Sequence, residues 1–277
     1  MSSFFLDLTF LIYLISWVGS LFYFKTLEKK ALKLTHGVLL VGLIFHFLYI
    51  LFITKEIYTT SLLTFNEVLG LFSFLLVLVY FYFALGREKA YTLATFYLPL
   101  PILFLLLNML FSKKSLYSPF SPYIKSFWFP LHVICALLSH AFLMAGLIAS
   151  LMYLLQEREI KKKRFGYFFR KLPPLHSLER IAEKALYNGF FLLTLGIISG
   201  AIWSELAFGS YWRWSAKEMI TLSLWLIYAG MIHQRILIGW RGKRLAYMFL
   251  LGGFLWFFTF FVINFYFKGF HTYGSSL

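Results

Sequence analysis

Apolar residues fall in eight nearly unbroken blocks, at about 4 to 24, 34 to 53, 62 to 83, 92 to 111, 127 to 154, 187 to 206, 218 to 238 and 246 to 267. Each is close to the roughly 20 residues an α-helix needs to cross a hydrocarbon core of about 30 Å. Polar and apolar positions do not alternate within the blocks, which excludes the strands of a membrane barrel. Helices are the other structure that satisfies its own backbone inside lipid. The pattern predicts an all-α integral membrane protein, a bundle of about eight transmembrane helices in a single polytopic domain over 1–277. Four helices occupy 1–111, and the remaining region of interest runs over 127–274. Pro99 and Pro101 lie inside the fourth block, where a missing amide donor predicts a kink unless neighbouring groups satisfy the freed carbonyls. Charges interspersed over Leu178 to Leu186 predict an interfacial helix leading into the sixth span. No positively charged region of a secretory signal opens the chain, so the first span is expected to be retained.

Composition agrees with the pattern: 61% of residues are hydrophobic and 13% charged, against roughly 45–50% and about 25% for soluble domains. Charge then orients the bundle. Alternate connections hold nineteen basic residues, nine of them in the 156 to 184 segment, whereas the opposite side holds seven: Lys55, Lys113, Lys114, Lys125, Arg213, Lys217 and Lys268. The positive-inside rule places both termini outside a cytoplasmic (inner) membrane. The net charge of +15 is mostly this topology signal; spread over four short loops it makes no nucleic-acid stripe, and the run Lys161 to Arg164 suits anionic lipid heads. Cys135, the single cysteine, cannot form an internal disulfide and suits packing.

Histidine carries the specific chemistry. Of seven, His46 and His233 fall inside spans, where polar side chains are expensive and mark either a cavity or an interhelical hydrogen bond. By the predicted topology His132 opens the fifth span on its outer side, and His271 follows the eighth on the same side. Between them in sequence lies the connection Trp203 to Lys217, which holds Phe208, Tyr211, Trp212 and Trp214 together with Arg213 and Lys217. An aromatic cluster at a membrane boundary is by itself an ordinary interfacial belt. Flanked by two imidazoles and two cations it has another use: flat faces stack on a porphyrin, cations pair with its propionates, and neutral imidazoles ligate iron.

The run FGSYWRWSAKE, 208 to 218, resembles the WGxxWxWDxKE signature of the tryptophan-rich (WWD) heme-handling proteins of cytochrome c assembly. YAGMIHQR, ending at Arg235, GFHTYG, 269 to 274, and the helix from Phe127 to Tyr153 resemble the other landmarks of the CcsA (ResC) branch in matching order. The resemblance covers roughly the C-terminal half, making 127–274 the heme-handling region. It implies that His132 and His271 form an outer pair of axial ligands, that His46 and His233 form an intramembrane pair, and that Trp212 and Trp214, with Tyr211, Arg213 and Lys217, bind the heme. By rise per residue, His46 stands about 18 Å and His233 about 8 Å from the cytoplasmic edge, so one shared iron requires tilt. The chain departs from the signature at Phe208 (tryptophan), Ser215 (aspartate) and Ala216 (proline).

Resemblance to this branch further implies heme b as substrate, a CcsB (ResB)-like membrane partner, thiol-reducing pathway proteins, and a joint reaction that joins heme vinyl groups to the cysteines of a CxxCH apocytochrome c outside the membrane. No residue of this chain reads as a nucleophile, so attachment would belong to the complex. A HemX-like or CcmC-like heme-binding protein without attachment activity would share the aromatic loop, and a proton-coupled transporter would use intramembrane histidines as a relay but leaves the loop unexplained.

Overall fold

The computed structural model describes residues 2–60, 65–86, 90–110, 126–163 and 166–263. Its elements are α1 (Ser2–Thr26), α2 (Lys29–Thr60), α3 (Phe65–Ala84), α4 (Leu93–Tyr97), α5 (Pro99–Leu110), α6 (Trp128–Lys161), α7 (Tyr167–Lys171), α8 (Leu175–Phe208), α9 (Ala216–Leu237), α10 (Lys243–Phe257) and a π-helical turn, Phe258–Ile263. Among the described residues there is no strand, and eight segments are long and apolar enough to cross a membrane, α4 with α5 counting as one. The all-α multi-pass reading of the sequence holds.

α6 and α8 share the most extensive interface, α3 and α10 pack on α6, and α1 pairs with α2. Lipid-immersed helices gain little from hiding apolar surface from one another, so close approach depends on small residues. A β-carbon added at Gly189 would stand 2.7 Å from Leu143 Cγ, and one at Gly196 3.2 Å from the Ala136 backbone nitrogen. Ser139 Oγ also donates to the Gly189 carbonyl at 2.8 Å.

The helix expected at Leu178–Leu186, leading into the sixth span, is continuous with that span in α8, a single helix of 34 residues. Leu178, Ile181, Ala182, Ala185 and Leu186 are all buried, so the apolar stripe that faces the bundle runs on through the charged segment and no breaker interrupts it. α6 also has 34 residues, and both helices, about 51 Å long, exceed a hydrocarbon core of roughly 30 Å.

The helical run is interrupted at Leu98, between α4 and α5, next to Pro99. Pro99 has no N–H to offer the carbonyl four residues back, Thr95, and Trp17 Nε1 of α1 donates to that oxygen at 3.1 Å. Ser73 Oγ of α3 donates to the Pro101 carbonyl at 2.9 Å. We expect Trp17→Phe to lower the detergent unfolding midpoint, since the orphaned carbonyl alone costs about 1–3 kcal/mol. An unchanged midpoint would show that Thr95 finds another donor.

Candidate functional site

The site is built where α6 begins, α8 ends and α9 begins, here termed the loop end. His132 lies four residues into α6 with its ring against Gly200 of α8, and its Nδ1 is 2.8 Å from the Gly196 carbonyl. A carbonyl only accepts, so Nδ1 carries the proton and the ring's lone pair is on Nε2. Metal-binding imidazoles use this arrangement, one ring N–H tied to a carbonyl and the other nitrogen directed at the metal. Gly200 makes it possible, because a β-carbon there would stand 2.5 Å from Nδ1. Lys217 is the second residue of α9 and half-buried.

The tryptophan-rich loop follows α8, which ends on Gly209 in the left-handed region at φ +70°. Its inner aromatics form a ladder back to α6: Phe129 and Trp203 are 5.1 Å apart between centroids and Trp203 and Phe208 5.6 Å, edge to face. The Arg213 guanidinium lies 4.6 Å above Phe208. Tyr211 and Trp214 are exposed and Trp212 half-buried, with the two indoles 6.3 Å apart at 82°. Backbone bonds hold the path: Ser204 Oγ donates to the Ser210 carbonyl at 2.7 Å, and Ser210 Oγ to the Trp212 carbonyl at 2.9 Å. Trp214 has φ +58°, a conformation that costs a non-glycine residue on the order of 1–3 kcal/mol.

All three departures from the signature have a local account. Ser215 is the N-cap of α9, accepting from the Glu218 N–H at 3.3 Å while Glu218 Oε2 accepts from the Ser215 N–H at 2.8 Å. Serine and aspartate cap about equally well, so loss of the carboxylate leaves the helix start intact. Ala216 takes the first helical position, where proline is favoured but alanine fits. Phe208 keeps an aromatic face beneath Arg213.

The intramembrane histidines are placed apart. His46 of α2 is fully buried, with Nδ1 3.1 Å from Tyr13 Oη and Nε2 3.1 Å from the Gly70 carbonyl. Nε2–H therefore donates to Gly70 and Nδ1 accepts from Tyr13, so ligating a metal would require breaking one of these bonds. His233 is exposed on α9 beside an open groove of about 300 Å³ lined by Phe190, Ala229, Ile232, Ile236 and Leu237. No residue is common to these two surroundings, and the structure does not bring His46 and His233 together. Two residues past His233, Arg235 ties α9 to α8 through Glu183 at 2.7 Å and Glu179 at 3.2 Å. His140 has Nδ1 2.5 Å from the Ala136 carbonyl of its own helix and its ring 5.7 Å from Trp256. His271 lies outside the described residues.

Two supports escaped the histidine-led reading although their signals are in the sequence. Gly196-x-x-x-Gly200 is a close-packing motif, and Ser215-x-x-Glu218 a capping box.

The profile of the family described as Cytochrome C assembly protein matches residues 5–271. Among curated proteins, the chain is 34% identical over 188 residues to the cytochrome c biogenesis protein CcsA of Heterosigma akashiwo, covering 57% of this chain and 58% of that one. It is 34% identical over 172 residues to CcsA of Guillardia theta, 57% of each, and 35% identical over 179 residues to CcsA of Prochlorococcus marinus, 56% of this chain and 57% of that one. The chain thus spans less than two thirds of the length of these curated relatives. With the profile running over nearly its whole length, the chain belongs to the cytochrome c assembly protein family.

Proposed function

We propose that this protein acts in cytochrome c biogenesis by binding heme b, moving it to the outer face of the membrane and presenting it for covalent attachment to CxxCH apocytochromes c, as one subunit of a synthase. The observation that carries this reading is His132: a half-buried imidazole whose Nδ1–H is fixed on Gly196, which sets the tautomer with the lone pair on Nε2, beside a loop that presents Tyr211, Trp212 and Trp214. Among the described residues no three metal-ligating side chains converge. A porphyrin brings four nitrogen donors of its own, so two axial imidazoles suffice. His132 is one, and His271 is the other. Trp212 and Trp214 supply the stacking faces, and Arg213 and Lys217 the charges for the propionates.

The loop end is the outer end, as the asymmetry of basic residues indicates. The intramembrane stage uses His233. α9 has the smallest buried share of the eight spans; on the face of His233, Ser223 and Leu226 are exposed, and an added β-carbon at Gly230 meets nothing within 4 Å. Small residues admit a neighbouring helix and a histidine facing lipid is costly, so a CcsB-like partner belongs there. His46 joins this stage only by releasing Tyr13 or Gly70. In the joint reaction each substrate thiol adds across a heme vinyl group: the sulfur–carbon bond forms, the thiol hydrogen goes to the other vinyl carbon, and nothing leaves. Thiol-reducing proteins keep the substrate cysteines ready. The contribution of this chain is position, which lowers the entropic cost of the encounter.

Protein purified in mild detergent from cells with ample heme is expected to be red, with the low-spin spectrum of bis-histidine heme. Colourless protein, both alone and with its partner, would end the heme reading.

A further inference from the structure

We infer that Glu218 is a positioning residue of the tryptophan loop: its carboxylate clamps the two backbone N–H groups on either side of Trp214 and thereby sets where Trp212 and Trp214 present their faces. The inference rests on the proposed role of that loop in holding heme. One oxygen, Oε2, accepts from the Ser215 N–H at 2.8 Å and from the Arg213 N–H at 3.1 Å. The first bond completes the capping box and belongs to the helix. The second does not: Arg213 lies outside α9 and its N–H is not among those a helix start leaves unpaired. Between the two donors sits Trp214 at φ +58°, a region that tryptophan leaves when nothing holds it. From the other side, Ser210 Oγ holds the Trp212 carbonyl at 2.9 Å. Glu218 is itself carried by a 22-residue helix, so the loop takes its geometry from a rigid element.

The test uses the full chain in detergent with its partner, reading residue-resolved amide hydrogen exchange and bound heme in wild type, E218A, E218Q and S215A. Glu218→Ala is expected to speed exchange at Arg213 and Ser215 about tenfold or more, as loss of bonds to a charged acceptor predicts. Its heme content should fall in step. Glu218→Gln keeps an acceptor oxygen in place and should restore both. Ser215→Ala removes the other half of the capping box, so it should lower the thermal midpoint while Arg213 stays protected. If E218A and S215A behave alike, with faster exchange confined to the first turn of α9, Glu218 is only a cap and the inference is overturned. If the wild type carries no heme while E218A still unlocks Arg213, the clamp stands and the heme reading of the loop is what fails.

Discussion

Replacing His132 with glycine is expected to cut the yield of mature cytochrome c about tenfold or more, and imidazole added to the medium to restore part of it. On the proposed ligation, glycine takes away one axial imidazole and leaves a space the size of the lost ring, flanked by the same Gly196 carbonyl that oriented the side chain. A small imidazole reaches such a site from water if the loop end faces outward, so the rescue tests ligation and orientation together. His271→Gly is expected to behave in the same way. His140 is the control: its ring bonds a carbonyl of its own helix and packs on Trp256, so His140→Tyr disturbs packing alone and is expected to be tolerated. Were imidazole to rescue a glycine at 140 but at neither 132 nor 271, the assignment of the outer ligands would be wrong.

The second large effect starts from a residue with no side chain. Gly200→Val is expected to lower bound heme at least as far as loss of His132 while the protein still inserts and accumulates. A β-carbon at this position meets His132 Nδ1 at 2.5 Å and its Cε1 at 2.7 Å, so the ring must leave Gly196 or the helices must separate. Either outcome breaks the Nδ1 bond that places the lone pair on Nε2. Gly37 is a suitable comparison, since an added β-carbon there meets nothing within 4 Å. Val at both positions, compared by heme-to-protein ratio after purification, separates the effect of the site from the general cost of a larger residue. An equal, small loss in both would show that the His132–Gly196 tie is dispensable.

Much of the fold was legible because lipid imposes a length: a continuous apolar block near 20 residues has few alternatives to a spanning helix. The ends were less legible. Length alone could not show that Ile181, Ala182, Ala185 and Leu186 are buried in the bundle, and charges among them read as a surface segment. At the site, residue identity pointed to His132 and the aromatic loop because imidazoles and indoles are scarce and chemically distinctive. Partners could not be read in this way. Whether an intramembrane histidine is tied to Tyr13 and Gly70, as His46 is, or stands at an open groove, as His233 does, depends on helix rotation, which composition does not encode. Ser215 was a departure from a signature in sequence and proved an equivalent helix cap in three dimensions.

The long pairing of α6 with α8 has a consequence for the surrounding bilayer. A spanning helix whose apolar face meets lipid tilts or shifts as membrane thickness changes. Here the register that brings His132 to Gly196 and Gly200 is fixed by Ala136 on Gly196 and by Leu143 and Ser139 on Gly189, all within the protein. Hydrophobic mismatch then acts on the outer helices and on tilt of the pair as a whole, while the spacing across the His132 contact stays constant from thin membranes to thick ones.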